Sequence, residues 1–206
     1  GQTNSQAALD ASYRYQYINV SNIVYPTSGH YTDLFLLKRF ASREQSIFHI
    51  SARQLYAKKV STKSFLLFDV SGAYKSPIDS VFSNARLVGY GGMQLRGLEY
   101  YVVDGTAGVV ARNAFHYNLT NWTLHNPLQT KTHDKIPIRL YFKLFADAGY
   151  AYHKYAAPSN SLSNTLLYTY GAGLDVVSVY DFVFRIEYSR NQLKRDGLYL
   201  QGEFNF

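Results

Sequence analysis

The 206-residue chain carries a formal charge of +7, is 47% hydrophobic and 17% aromatic, and contains 20 Tyr and 13 Phe but no Cys. Its mean hydropathy is -0.22, and no run approaches the roughly 18 apolar residues of a transmembrane helix. The lack of Cys excludes disulfide frameworks, cysteine-ligated zinc and thiol catalysis. The positive charge permits anionic partners, but the basic residues are scattered rather than clustered, which argues against nucleic-acid binding.

The first six residues are polar and contain no apolar signal core. We therefore expect the chain to begin at a mature end, at an end set by cloning or at an internal cut. The length suits one domain or one piece of a larger domain. We predict a single unit over residues 1–206.

Apolar and polar residues alternate along most of the chain, which is typical of β-strands with one apolar face. The turn Tyr25-Pro26-Thr27-Ser28-Gly29 separates the first two strands, because Pro presets one turn dihedral and Gly accepts a positive φ. Alternation is absent from a long loop at about 76–105 and from a polar connection at 119–135. The pattern predicts about nine strands: one of about ten residues ending near Val20, then 34–40, 48–56, 66–75, 107–118, 136–152, 166–176, 182–189 and 198–206.

Two architectures produce alternation of this length. A soluble sandwich packs its apolar faces together, whereas a transmembrane barrel turns them toward lipid and keeps polar faces inside. Charged residues recur on the polar face, as in Arg139, Lys143 and Asp147. The strands also reach or exceed the 9 to 11 residues that a tilted membrane strand needs. Tyr residues lie near the strand ends, as membrane interfaces favour: Tyr117, Tyr150, Tyr152 and Tyr188.

These features predict an all-β fold, an antiparallel transmembrane β-barrel. Single-chain bacterial barrels have even strand numbers, however, and nine is odd. Either a further strand lies within the long loop, at about 85–90, or the chain is part of a larger barrel.

Three motifs in order carry a resemblance. Leu95-Arg96-Gly97-Leu98 lies in the long loop, Phe145-Ala146-Asp147-Ala148-Gly149 follows two strands later, and the chain ends on Phe206. In this order and spacing the chain resembles the C-terminal part of the BamA/TamA superfamily of outer-membrane assembly barrels. The turn at Tyr25-Pro26-Thr27-Ser28-Gly29 is similar to a Pro-Thr-x-Gly turn found midway along TamA-like and patatin-linked barrels.

The resemblance implies a 16-stranded barrel that follows periplasmic POTRA domains, of which this chain is the C-terminal nine strands or so. It implies a bacterial outer-membrane location, of Gram-negative type, with the C-terminus in the periplasm. The implied function is to assist insertion, assembly or translocation of proteins through a lateral seam. One lip of that seam is the last strand, with Leu198, Leu200, Phe204 and Phe206. The implied partners are outer-membrane lipid and lipopolysaccharide, client outer-membrane proteins, an N-terminal barrel half, POTRA domains or other envelope subunits.

In that family the long loop folds back into the lumen, where its Arg meets the Asp of the strand motif. The alternation independently places Asp147 on the polar face. We therefore expect Arg96 to form charge-assisted hydrogen bonds with Asp147, with Glu99 as a weaker member of the network. Phe145 and Gly149 complete the strand motif, and Gly149, Gly171 and Gly173 leave room for the loop. The alternative is a solvated Arg96, with Asp147 paired to a strand neighbour such as Arg112 or Arg139.

The chain departs from the family pattern at three points. Leu98 stands where Phe or Tyr usually follows Arg-Gly, and the aromatic residues come later, at Tyr100 and Tyr101. Gln201 stands where the C-terminal signal usually has Gly, and Gly202 follows. The sequence also contains no POTRA domains, so we do not expect this chain alone to perform the full task.

The sequence gives little support to an enzyme. The six His residues show no metal-ligand spacing, and no Gly-x-Ser-x-Gly elbow occurs. A rim enzyme built on Ser71 or Asp175 is a minor alternative. We predict no catalytic activity, no cofactor and no nucleic-acid partner. The main alternative function is a small complete barrel that acts as a passive channel, an adhesin or a partner subunit.

Overall fold

A computed structural model of the chain describes residues 8–41, 46–77, 86–89, 93–125, 135–154, 162–178 and 182–203. Strands make up 76% of these residues, and none of them is helical. No helix suited to crossing a membrane therefore occurs in the described ranges.

Nine strands form one antiparallel sheet in the order β1-β2-β3-β4-β7-β8-β9-β10-β11, and β5 and β6 form a separate two-stranded sheet. In the described part of the chain β1 and β11 are the sheet edges, so the sheet is not closed. The bounds are β1 Ala8–Val20, β2 Gly29–Ala41, β3 Ile47–Lys59, β4 Ser64–Ser76, β5 Arg86–Val88, β6 Val103–Asp104, β7 Ala107–His125, β8 Lys135–Tyr152, β9 Leu166–Val177, β10 Val183–Asn191 and β11 Asp196–Glu203.

The predicted all-β antiparallel fold is confirmed, and each of the nine predicted strands is present. The further strand considered at about 85–90 does not join the main sheet, because β5 pairs only with β6.

The expected polar connection at 119–135 was too long. β7 continues to His125 after a register shift between Asn118 and Thr120. That irregularity moves the outward positions by one residue, so Trp122 lies opposite Ile138 and Leu124 opposite Ile136. The sequence prediction ended this strand too early, at residue 118, because it required unbroken alternation.

The two faces of the main sheet have inverted polarity. Asp69, Lys143, Asp147, Asp175 and Glu187 are buried on one face. These residues share a face because the register places Asp69 opposite Arg112, Arg112 opposite Asp147 and Lys143 opposite Gly173, which in turn faces Glu187. A sandwich would bury the opposite, apolar face, so this alternative is wrong for the described sheet.

The charged face surrounds an interior cavity of about 550 Å³, which all nine strands of the main sheet help to line. The sheet is therefore strongly curved. The other face exposes apolar side chains, including Val70, Phe115, Leu144 and Leu200.

Exposed aromatic side chains lie near both ends of the strands. At the end that carries the β1–β2 turn, called here the turn end, they are Tyr15, Tyr17, Tyr56, Tyr117 and Trp122. At the end that carries the β4–β7 connection, called here the loop end, they are Tyr74, Tyr150, Tyr152, Tyr168, Tyr170 and Tyr188. Two bands of rings thus border the exposed aliphatic surface.

The described residues of the interior form two apolar clusters rather than one core. The cluster near the loop end is Leu87, Val88, Met93, Leu95, Leu98, Val103, Val110, Ala151, Leu162 and Leu167. The cluster near the turn end is Val24, Tyr25, Phe65, Tyr141, Val177 and Val183. Most of the buried charged groups lie between them.

Candidate functional site

Residues 93–101, called here the inner loop, enter the interior from the loop end. Two turn hydrogen bonds shape the loop, from Leu98 N to Leu95 O at 3.2 Å and from Tyr101 N to Leu98 O at 2.9 Å. Within the first of these turns Gly97 has a φ of +79°, a conformation that a residue with a Cβ adopts at a cost. The sequence Leu-Arg-Gly-Leu therefore folds as a tight turn that points Arg96 away from its two Leu neighbours.

Leu95 and Leu98 seat the loop in the apolar cluster of the loop end. They are 1% and 3% exposed. A Cβ on Gly149 would come within 3.0 Å of Leu95 Cδ1, so the glycine of the strand motif provides space for Leu95. Leu98 is the residue that follows Arg96-Gly97, and its aliphatic side chain is buried.

Arg96 contacts Asp147 through both carboxylate oxygens. Arg96 Nε donates to Asp147 Oδ2 at 2.7 Å, and Arg96 Nη2 donates to Oδ1 at 2.5 Å and to the carbonyl of Asn113 at 3.2 Å. The guanidinium carbon lies 4.2 Å from the ring centroid of Phe145. The fork-to-fork geometry and the ring beneath it are what a guanidinium favours over an ammonium.

The Asp147 side chain is fully buried, whereas that of Arg96 is 16% exposed. Asp147 Oδ1 also accepts a hydrogen bond from the Asn113 amide at 3.2 Å. Arg112, the proposed alternative partner, forms its ion pair with Asp69 instead. Arg139 lies near the other end of β8, opposite Val177. The alternative in which Asp147 pairs with a strand neighbour is therefore wrong.

The loop also contacts β10. The Asn191 side chain donates to Gly97 O at 2.9 Å, and a Cβ on Gly97 would come within 2.5 Å of Ser189 Oγ. Gly171 has a different role from the one expected, since it gives room to the Phe145 ring that supports Arg96. Gly173 gives room to Lys143 and Glu187 rather than to the loop.

Glu99 does not join the ion pair as expected. Its two carboxylate oxygens are buried and have no hydrogen-bond partner among the described residues. Burial raises the pKa of Glu99 above its ordinary value. The nearby backbone amides of Glu99 and Gly97 oppose this rise, and the carboxylates of Glu187 and Asp147 add to it. Glu99 thus lies near the ion pair between Arg96 and Asp147 without sharing its hydrogen bonds.

A second polar network lies deeper in the interior, around Lys143. Lys143 Nζ lies 2.6 Å from Asp175 Oδ1 and also contacts Glu187. His116 Nε2 lies 3.5 Å from Asp175 Oδ2. Sequence reasoning missed this network as a site, although Lys143, Asp175 and Glu187 all have the same face parity as Asp147. That shared parity on adjacent strands is the signal that could have found it.

The β1–β2 connection, residues 21–28 and called here the inner turn, enters the interior from the turn end. Asn22 Oδ1 accepts from the amides of Val24 and Tyr25 at 2.8 and 2.7 Å, which fixes the backbone of the turn. At its end Gly29 has a φ of +104°, so the predicted glycine turn is confirmed.

Tyr25 connects the inner turn to the Lys143 network. Its hydroxyl donates to Asp175 Oδ2 at 3.1 Å, and burial raises its pKa, so the hydroxyl keeps its proton. Its ring contacts Phe65, His116 and Tyr141 with centroids 5.2 to 5.7 Å apart. The turn is therefore fixed by aromatic packing and one hydrogen bond.

The strand expected to form a seam is β11. It pairs only with β10 in the described part of the sheet, and Leu198 and Leu200 are 67% and 64% exposed on the apolar face. Phe204 and Phe206 lie outside the described residues, so the expected last residues of the seam strand are not placed.

Within the described ranges, no group of three or more His, Asp or Glu side chains is arranged to hold a metal ion. No family model matches the chain, and no curated protein matches it either. The resemblance to BamA/TamA-like barrels therefore remains a prediction that rests on the motifs and on the contacts between them.

Proposed function

We propose that the chain is a membrane-embedded part of a BamA/TamA-like β-barrel in a Gram-negative outer membrane, and that it assists the insertion, assembly or translocation of proteins. The contact between Arg96 and Asp147 carries this proposal. It joins two motifs 51 residues apart in the pairing that the resemblance implies.

The inverted polarity supports the membrane location. A lipid-facing surface needs apolar side chains, whereas buried charges such as Lys143 and Asp147 need a polar interior. The two bands of exposed rings fit two membrane interfaces, where the amphipathic rings of Tyr and Trp are favoured. The strands of the main sheet, at 8 to 19 residues, are mostly long enough to cross the hydrocarbon layer when tilted.

The open edges support a larger assembly over a small closed barrel. Unpaired backbone groups are costly in lipid, so β1 and β11 need partner strands in a membrane. In the proposed assembly an N-terminal barrel half pairs with β1, and β11 forms one lip of a seam at which a client strand can add to the exposed edge. POTRA domains or other envelope subunits and lipopolysaccharide complete the proposed partners, and the C-terminus faces the periplasm.

The second candidate function is a passive channel. The interior cavity of about 550 Å³ favours it, because charges of both signs line the space between the inner loop and the inner turn. An adhesin or partner subunit with the same barrel is a further alternative.

The single Trp of the chain tests the membrane location. Trp122 is 47% exposed on the apolar face near the turn end. We expect lipids brominated high on their acyl chains to quench Trp122 fluorescence more than lipids brominated near the chain ends. Equal and weak quenching by both would contradict the membrane location.

Reconstitution distinguishes the two functions. The full-length protein that contains this chain is placed in liposomes with an unfolded outer-membrane barrel as client, and client insertion is followed by protease protection. An assembly protein accelerates insertion, and the exchange variant Arg96→Asp/Asp147→Arg retains more of that rate than either single change. A channel instead gives steady ion conductance with no acceleration of the client, and that result would overturn the assembly function.

A further inference from the structure

The described basic side chains of the interior cavity are neutralised. Arg53 and Arg112 both contact Asp69, Arg96 contacts Asp147, Lys143 contacts Asp175 and Glu187, and Arg185 contacts Glu203. Pairing of this kind is expected where charges leave water. A basic side chain near this interior that lacks an acidic partner is therefore a candidate for binding an anion.

A smaller recess at the turn end has the opposite property. Its volume is about 250 Å³, and its basic lining residues are Lys59, Lys63 and Arg139. No Asp or Glu is among the described residues that line it. None of the three basic side chains forms an ion pair with another described residue, unlike those of the large cavity.

Four elements supply the basic and amide side chains of this recess, called here the basic recess. β3 ends with Lys59, the 60–63 turn supplies Lys63, β7 supplies Asn118 and Asn121 at its register shift, and β8 supplies Arg139. The amide of Asn118 donates to Lys63 O at 2.7 Å, which ties the turn to β7. Phe65 and Tyr141 form the apolar floor and belong to the turn-end cluster. The recess is therefore built on paired strands of the main sheet.

The neutral polar groups of the recess complement its charge. Asn118 Nδ2 donates to Asn121 Oδ1 at 2.9 Å, which occupies the Asn121 carbonyl and leaves the Asn121 amide hydrogens for a ligand. Ser61 and Ser64 share a hydrogen bond of 2.8 Å and add a hydroxyl donor. Three cations with amide and hydroxyl donors suit an anion that has several oxygens.

We propose that the basic recess binds a phosphate group. The ligand is either a free phosphate or the phosphate of an anionic lipid headgroup. The second source has a structural reason, since the recess lies at the strand ends, at the level of the ring band of the turn end. Trp122 and Asn121 are adjacent on β7 but point to opposite faces of the sheet. A headgroup at the level of that band would reach the recess over the strand ends.

The test uses the folded chain in a zwitterionic detergent, with two probes at constant ionic strength. The first probe is inorganic phosphate, titrated against chloride and followed by Trp122 fluorescence. The second is phosphatidylglycerol, compared with phosphatidylcholine by native mass spectrometry of the lipids that remain bound. Binding of phosphate alone identifies a free anion as the ligand class, and retention of phosphatidylglycerol over phosphatidylcholine identifies a lipid headgroup.

The variant Lys59→Gln/Arg139→Gln removes two of the three cations. We expect it to weaken binding of the active probe about tenfold or more, because two charge-assisted contacts are lost. The matched control is Lys194→Gln/Arg195→Gln, which removes one Lys and one Arg from the exposed β10–β11 turn at the opposite end. The control is expected to bind as the unchanged chain does.

Two results would overturn the phosphate site. One is an equal loss of affinity in both variants, which would mean that only overall charge matters. The other is a lack of binding of both probes to the unchanged chain. The altered side chains are exposed, so both variants should fold, and retained heat-modifiable mobility on a denaturing gel checks this. Inorganic phosphate can bind whether or not the chain spans a membrane, so failure here is distinct from failure of the assembly function.

Discussion

The inner loop and the inner turn enter the same interior from opposite ends, and each reaches an Asp on a neighbouring strand. Arg96 of the loop binds Asp147 of β8, and Tyr25 of the turn binds Asp175 of β9. The loop brings its own charge to a buried carboxylate. The turn brings a neutral hydroxyl to a carboxylate that Lys143 already neutralises. The contact with Asp147 therefore matters more to the loop than the contact with Asp175 matters to the turn.

The difference extends to the surroundings. The Tyr25 ring lies among three other rings, and the turn backbone is fixed by Asn22. Arg96 has one ring beneath it, and its backbone depends on a positive φ at Gly97. Release of the loop breaks one ion pair and uncovers Leu95 and Leu98. Release of the turn uncovers a cluster of packed rings and breaks one hydrogen bond. The contrast predicts that loss of one polar contact destabilises the loop more than the turn.

The largest expected effect is that of Asp147→Ala. It leaves a buried guanidinium without its carboxylate, which should lower the free energy of unfolding by about 3 to 5 kcal/mol. Urea unfolding followed by Trp122 fluorescence measures the loss. Trypsin adds a local readout, since release of the loop exposes the bond after Arg96 and a new fragment appears by mass spectrometry.

The control for this change is Asp33→Ala. Asp33 pairs with Arg14, whose side chain is 57% exposed, so about 1 kcal/mol or less should be lost, and no cut after Arg96 should appear. If Asp147→Ala left Arg96 protected, the loop would be held by Leu95 and Leu98 rather than by the ion pair.

Gly97→Ala tests whether the turn of the inner loop requires glycine. The added methyl group meets Ser189 Oγ at 2.5 Å and sits on a backbone with φ of +79°, which should cost about 1 to 3 kcal/mol. Gly72→Ala is the matched control, because its Cβ would meet only Gly108 O at 3.5 Å. Urea unfolding of both variants measures the difference. Equal stability of the two would mean that the loop shifts to accommodate Ala.

Tyr25→Phe tests how much the hydrogen bond to Asp175 stabilises the inner turn. The change removes the hydroxyl that donates to Asp175 and keeps the ring, so about 1 kcal/mol should be lost. Asp175 retains Lys143 and His116 as neighbours, which limits the damage. The same urea assay measures it, and Tyr25→Leu, which removes the ring as well, should cost more. A loss as large as that of Asp147→Ala would remove the contrast between the two segments.

Sequence reasoning predicted the strands well, because a period of two requires no knowledge of distant residues. It also predicted which face Asp147 occupies and, through the family resemblance, which loop residue would meet it. The β7 extension escaped because the shift after Asn118 changes the parity of the pattern. Alternation cannot reveal such a shift unless the partner strand is considered as well.

Contacts across the interior were harder to predict. Tyr25 and Asp175 are 150 residues apart, and nothing in a turn sequence shows that its Tyr points inward. The expected role of Glu99 was wrong for a similar reason, because its position beside Arg96 in the chain does not determine its distance from the guanidinium. Alternation shows which residues face the interior and so could meet there. Which of them form pairs depends on the curvature of the sheet, which alternation does not show.

Glu99→Gln should change the free energy of unfolding least, and it should raise it, whereas the other variants lower it. Burial raises the pKa of Glu99 above 4.5, so the docked loop is more stable when this carboxyl is protonated. That stability is fully present below pH 4.5 and is lost as the pH rises through the higher pKa of the docked state. The Gln variant has no such loss and should be more stable at pH 7, by less than about 1 kcal/mol because Glu99 is partly exposed.

Urea unfolding between pH 4 and pH 8 measures this effect, and the Gln variant should show a flatter pH dependence than the unchanged chain. Glu203→Gln is the matched control, since it removes the same charge from a carboxylate that Arg185 already pairs. The control should lose a little stability instead of gaining it. If both variants were less stable than the unchanged chain at pH 7, the Glu99 carboxylate would stabilise the docked loop. That result would contradict the expected gain from Glu99→Gln.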